Sequence, residues 1–183
     1  MPSKIILGID PGTSVMGFGL IEIRGKEMKL LLLDELILSK FDSHYLRLKK
    51  IYDKTLHIID TYHPDEIAIE APFYGKNVQS MLKLGRAQGV AMSAGLSREV
   101  PITEYAPKKI KTAITGNGNA SKEQVAGMLR NLLKIEELPM HLDATDGLAA
   151  AVCHFFNMGK KSGVKNYSGW ASYVKNNPKK IIR

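Results

Sequence analysis

Apolar and polar positions follow one rhythm over the first 40 residues and another after them. Lys4-Ile5-Ile6-Leu7-Gly8-Ile9 is an apolar run of buried-strand length, and Asp10-Pro11-Gly12 ends it in a turn. A second strand is expected from near Ser14. It contains Gly17 and Gly19, and glycine inside a strand marks a bulge or a close backbone approach. The polar Arg24-Gly25-Lys26-Glu27 turn then leads into a third strand over Met28–Leu38, so the chain opens as an antiparallel meander. From Asp42, read as an N-cap, Tyr45, Leu48, Tyr52, Thr55, Ile59 and Tyr62 recur at three- and four-residue steps with Ile51 and Ile58 beside them. That is an amphipathic helix, stopped before Pro64. Glu66 to Ile69 is a short strand delivering Glu70 at its C-terminal end. Helices are expected over 77–97, 106–115, 121–134 and 143–157, with a strand over 101–105 and a loop over 115–119. The predicted fold class is α/β, a mixed sheet with an antiparallel three-strand opening and helices on both faces. No internal repeat is visible.

Composition changes the picture at the C-terminus. The chain has 183 residues, 26 Lys+Arg against 18 Asp+Glu and 44% hydrophobic residues, which suits one folded domain. Residues 159–183 differ in kind: they hold seven basic residues (Lys160, Lys161, Lys165, Lys175, Lys179, Lys180, Arg183) and no acid. They sustain no helical or strand period, although Tyr167, Trp170 and Tyr173 could anchor them at three-residue spacing. The organisation read here is a domain over 1–158 and a basic tail over 159–183. Without the tail the body carries 19 basic and 18 acidic residues, so the formal charge of +8 is mostly the tail's. The tail is expected to add salt-sensitive, non-specific affinity for a polyanion. A single cysteine, Cys153, excludes an intrachain disulfide and a multi-cysteine metal site. With no secretory signal and no apolar run near the ~20 residues of a membrane span, a cytoplasmic protein with no membrane partner is expected.

Acids stand where an apolar core would not place them without a use. Asp10 and Glu70 each follow an apolar strand, and Asp143 with Asp146 open an apolar helix at i,i+3 spacing. Ligand sites in parallel sheets form at strand C-terminal ends, so Asp10 and Glu70 can lie side by side there. If the last helix brings its first turn over that edge, four carboxylates converge, and such a cluster repels itself without cations. Mg²⁺ is the natural occupant, and two ions about 4 Å apart suit phosphodiester hydrolysis. Three of the acids also have a plain structural alternative, whereas Glu70, among the apolar Ile67, Ile69 and Ala71-Pro72, is harder to dismiss. Asp10 can open an Asp-Pro-Gly turn, and Asp143 or Asp146 can serve a helix N-terminus. Taken together, the metal site is the better reading.

Ile6-Leu7-Gly8-Ile9-Asp10-Pro11-Gly12-Thr13 with Gly17-Phe18-Gly19 resembles the opening of the RuvC family of Holliday-junction resolvases. So do Ile69-Glu70 followed by Phe73, the stretch Leu82-Lys83-Leu84-Gly85-Arg86-Ala87-Gln88-Gly89-Val90-Ala91, and Asp143-Ala144-Thr145-Asp146-Gly147-Leu148-Ala149, in the family's order. The resemblance implies a ribonuclease-H-like fold, a homodimer, and Mg²⁺-dependent paired nicking of four-way junction DNA in recombination and repair, with RuvA and RuvB as partners and Mn²⁺ able to replace Mg²⁺. It also implies that Asp10, Glu70, Asp143 and Asp146 are the metal-binding catalytic acids. It assigns Lys111 and Lys122 to DNA contact and catalysis, and part of the 77–97 helix, around Leu82, Gly85, Arg86 and Gly89, to the dimer interface. Phe73, with Tyr74 and Lys76 beside it, is expected to meet the junction, where base stacking is worth ~1–3 kcal/mol. A hydrophobic plug is its alternative. Lys108 with Lys109 and Lys111 begins a helix suited to a phosphate, although a solvated face also explains Lys108. His141 reads as a loop residue.

Three rivals remain at this point. A ribonuclease-H-like nuclease processing ribosomal RNA would share the first acid and the final aspartates. An actin-like nucleotide-binding protein needs a second comparable domain that 183 residues do not accommodate. A junction-binding module without catalysis would bind and not cut.

Overall fold

The computed structural model describes residues 3–72, 77–137 and 142–158. Five strands form one sheet: β1 (Lys4–Asp10), β2 (Val15–Arg24), β3 (Glu27–Ile37), β4 (Glu66–Glu70) and β5 (Ile102–Tyr105), in the order β3-β2-β1-β4-β5. The β1–β2 and β2–β3 pairs are antiparallel, whereas β1–β4 and β4–β5 are parallel. Five helices complete the fold: α1 (His44–Tyr62), α2 (Val78–Leu96), α3 (Pro107–Thr115), α4 (Lys122–Leu133) and α5 (Asp143–Asn157).

The helices start and stop for local reasons. Ser43 caps α1 by accepting from the Leu46 N–H at 3.4 Å, so the N-cap is one residue beyond the expected Asp42. His63 closes α1 in the left-handed region at φ 48°, and Pro64 prevents continuation. The buried stripe of α1 is Ile51, Thr55, Ile58 and Ile59. All four lie in the expected stripe, whereas Tyr45 at the helix start is 81% exposed. A capping box of Ser121 and Gln124 starts α4.

Two cores flank the sheet. Leu7, Ile9, Phe18, Leu20, Ile67 and Ile69 pack with α1 and α2. Ile6, Ile21, Ala68 and Leu148 pack with α3, α4 and α5 on the other face. Side chains alternate across a strand, so Asp10, two beyond Gly8, and Glu70, two beyond Ala68, share the α5 face.

What seats α5 is a seam of glycines. A methyl group at Gly8 would lie 2.0 Å from the Gly147 carbonyl oxygen, and one at Gly17 would lie 2.1 Å from that of Asp143. The close approach expected of Gly17 and Gly19 is therefore between the strands and this one helix, backbone against backbone. The far end of α5 is pinned by polar groups. The Tyr105 hydroxyl lies 2.8 Å from Nδ1 of buried His154, whose Nε2 pairs with Glu66, which also pairs with Lys4. Burial works against the Glu66 carboxylate, yet hydrogen bonds from Lys4 and His154 hold it below its ordinary range.

Candidate active site

The parallel β1–β4 register pairs Ile9 with Ile69, and one step further it sets Asp10 beside Glu70 at adjoining strand ends. The end of β4 is tied down from two sides. The Ala71 N–H donates to Tyr105 O at 2.9 Å, and the buried Gln88 amide of α2 donates to Glu70 O at 3.4 Å and Glu104 Oε2 at 2.9 Å. Gln88 stood in the sequence only as part of a motif; a polar residue between Ala87 and Gly89 on an otherwise small-residue helix was its one signal.

Asp143 is the first residue of α5, not its cap: Leu142 occupies the N-cap and makes no side-chain cap hydrogen bond. The capping explanation of Asp143 thus fails, and its carboxylate is turned to Lys122 instead. The Lys122 ammonium lies 3.2 Å from Asp143 Oδ1 and 2.5 Å from Asp146 Oδ2. Burial alone would weaken that ammonium, but the two aspartates hold its pKa above the usual lysine range.

The carboxylates feel one another. Burial, then the charges of Glu70, Asp146 and Asp143, push Asp10 well above the ordinary aspartate value, with Lys122 opposing. Glu70 is pushed up to about 7 by burial and by Asp146, with Lys122 and Lys111 opposing. Asp146 is raised by burial in spite of Lys122.

These raised values set a pH dependence. A carboxyl that binds its proton more tightly folded than unfolded contributes stability below its unfolded pKa and loses it as pH rises through the folded one. For Glu70 the change from 4.5 to about 7 corresponds to about 3 kcal/mol. The metal-free protein is therefore expected to melt lower at about pH 8 than at about pH 5, and a divalent cation to restore more at the higher pH. Thermal melts in chelator and in Mg²⁺ check this; a melting temperature in chelator that is flat across the range counts against a shared cluster.

The donor set suits a hard cation: four carboxylates, oxygen only, mutually repelling. Among the described residues no group of three such side chains stands ready to hold an ion as placed, because the α5 aspartates face Lys122.

Of the other expected residues, Lys111 lies near enough to Glu70 and Asp146 to lower both. Lys108 is exposed and lines a groove with Lys109, Thr112, Ala113, Phe156 and Asn157, apart from the acids. On α2, Ala87, Ala91, Ala94 and Gly95 are buried inward. Leu82 is 52% exposed and Arg86 also faces solvent, while a methyl group at Gly85 or Gly89 would meet nothing within 4 Å. The buried and the exposed residues of α2 thus fall on different faces. Phe73, Tyr74, Lys76, His141 and the tail lie outside the described residues.

A mixed five-stranded sheet, acids at the ends of β1 and β4 and two more on a helix laid across them define a nuclease of the ribonuclease-H-like class. The chain matches the family described as crossover junction endodeoxyribonuclease RuvC over residues 6–154. A crossover junction endodeoxyribonuclease RuvC of Christiangramia forsetii is 70% identical over 97% of this chain and 93% of its own length. The structure of Thermus thermophilus RuvC is similar at a TM-score of 0.75 and 31% identity, covering 84% of this chain and 94% of that one. T. thermophilus RuvC in complex with Holliday junction substrate gives 0.78 and 30%, covering 84% and 93%. This chain belongs to the RuvC family. It is a metal-dependent endodeoxyribonuclease specific for crossover junctions, and the ribosomal-RNA alternative is not favoured. Among the described residues no helix is long and apolar enough to cross a membrane.

Proposed function

We propose that the chain cuts four-way DNA junctions at symmetric positions with Asp10, Glu70, Asp143 and Asp146 as the ligands of two Mg²⁺ ions, Mn²⁺ being able to replace them. The observation that supports this reading is the placement of the acids on the α5 face, where burial and mutual repulsion raise Asp10, Glu70 and Asp146 in spite of Lys122 and Lys111. When bound, Mg²⁺ supplies Lewis-acid activation of water and charge neutralisation at the leaving oxygen. The protein's own residues do the rest. Asp10, which feels the charges of Glu70, Asp146 and Asp143, would help to hold the ions. Lys122, which pairs with Asp143 and Asp146, would be available to orient water or meet the phosphate if those acids held a cation. Lys111 and Lys108 offer cations to the backbone on either side, and Phe73, Tyr74 and Lys76 follow Glu70 directly in the chain, where an aromatic can stack on an unpaired base.

Symmetric cutting requires two sites related by a twofold axis. Val78, Leu82, Gly85 and Gly89 fall at four-, three- and four-residue steps along the exposed face of α2, with Val78 68% exposed. That open stripe supports a homodimer through α2. By resemblance the dimer works in the cytoplasm with RuvA and RuvB.

A synthetic four-way junction, a linear duplex and a structured RNA, each incubated with and without Mg²⁺, test the reading. Paired nicks confined to the junction and dependent on the ion are expected. Binding without cutting, or cutting of the RNA, would refute it.

A further inference from the structure

Among the described residues, a partly apolar surface that the site does not use lies where α4 and α5 end against the start of β3. Two open grooves of about 650 and 450 Å³ adjoin there, sharing Met28, Leu133 and Lys134. Leu30 and Ile135 line the first, and Leu132, Phe155 and Phe156 the second. Leu132 is 38% exposed, and the two phenylalanine rings are tilted against each other at 5.6 Å. One wall is β3, which among the described strands pairs only with β2 and so stands at the sheet's edge, a feature that folded proteins usually cover.

We propose that this groove is the seat of the chain's own tail, with Tyr167, Trp170 and Tyr173 as the groups that fill it. Where the described chain ends supports the assignment. Phe155 and Phe156 belong to the last turn of α5, and Met158 comes two residues after Phe156, so the tail departs from the rim of the groove. Length supports it as well. The nine residues from Met158 to Tyr167 reach up to about 30 Å when extended, ample for a groove beginning two residues back. Composition supports it third. The tail's three aromatic residues, Tyr167, Trp170 and Tyr173, recur at three-residue spacing with Val174 beside them, while its charges are all basic. The groove offers no net charge to attract those lysines: Lys26, Lys29 and Lys134 are matched by Glu27, Glu136 and Glu137. Apolar contact therefore holds the tail in place, and its basic groups are left to face phosphates. The tail lies beyond the family match, which ends at residue 154, so this seat is an addition to the cutting machinery and not part of it.

Trp170 is the only tryptophan, which makes its fluorescence a direct reporter. In the full-length protein without DNA, its emission is expected to lie to the blue of a solvated indole and to resist acrylamide quenching, at low and high salt alike. Leu132→Glu, at an already exposed position, is expected to shift the emission red and raise the quenching constant several-fold with the melting temperature unchanged. Phe156→Ala should also shift the emission red and raise quenching, with a lower melting temperature because Phe156 packs partly against the core. Four results would overturn the proposal: a wild-type Trp170 quenched like free indole; a shielded Trp170 unmoved by both substitutions; shielding lost on dilution, which places the tail on a second copy; and shielding that appears only when DNA is added.

Discussion

Asp10→Asn should cut a four-way junction at least about 10³-fold more slowly than the wild type, because several kcal/mol of transition-state stabilisation depend on the metal that Asp10 is placed to share. The substitution keeps the shape of the side chain at the end of β1 and removes one anionic oxygen pair from between Glu70, Asp143 and Asp146. Two further consequences separate loss of chemistry from loss of fold. One fewer negative charge faces the DNA backbone, so junction binding in chelator should be retained or tightened. A carboxyl held well above its ordinary value costs stability when ionised, so the variant should melt higher than wild type in chelator near neutral pH. Single-turnover cleavage, fluorescence anisotropy and a thermal melt measure the three. Wild-type-like cutting removes Asp10 from the site, and a lower melting temperature in chelator contradicts the repulsion.

Gly17→Ala is the second large effect, and it acts through backbone. The added methyl would sit 2.1 Å from the Asp143 carbonyl oxygen and 2.9 Å from its carbon, atoms that no rotamer change can move aside. Either the first turn of α5 lifts or β2 bends, and overpacking of this kind costs about 1–3 kcal/mol or more. At about 2–4 °C per kcal/mol for a chain of this size, the melting temperature should fall by roughly 5–10 °C. The lift also carries Asp143 and Asp146 away from Asp10 and Glu70, and a misplacement near 1 Å can cost about 10²-fold in rate. Gly127→Ala is the control: its methyl meets nothing within 4 Å on α4, so the melting temperature should hold or rise. Gly17→Ala with unchanged stability and cutting would mean that the seam does not set the spacing of the acids.

Much of this was readable in the residues because their periods are clean. The apolar run of β1, the meander and the capped helices all follow from local pattern, and the alternation along β1 and β4 assigns Asp10 and Glu70 to a common face. The grouping of Asp143 with Asp146 followed from their i,i+3 spacing. The buried side of α1 follows the period at Ile51, Thr55, Ile58 and Ile59, and the exception is Tyr45, which fits the period yet stays in solvent at the helix start. What escaped depends on contacts between distant segments. The link among Lys4, Glu66, Tyr105 and His154 joins four elements and leaves no local trace, and His154 looked like one polar interruption in an apolar helix. The pairing of Lys122 with both α5 aspartates was invisible for the same reason: nothing local to Ser121-Lys122-Glu123 says which acids that lysine will face.

The seating of α5 also fixes when the enzyme comes into being. β1, β2 and β3 close on one another through near neighbours, and β4 adds Glu70 soon after, whereas the partners of α5 are strands from the opposite end of the chain. Contacts this distant in sequence form late, and synthesis delivers α5 last of the described elements. A chain still on the ribosome thus holds two of the four proposed ligands and lacks the other two. Copies that stop short of α5 would lack Asp143 and Asp146, and cutting is expected only once α5 is seated.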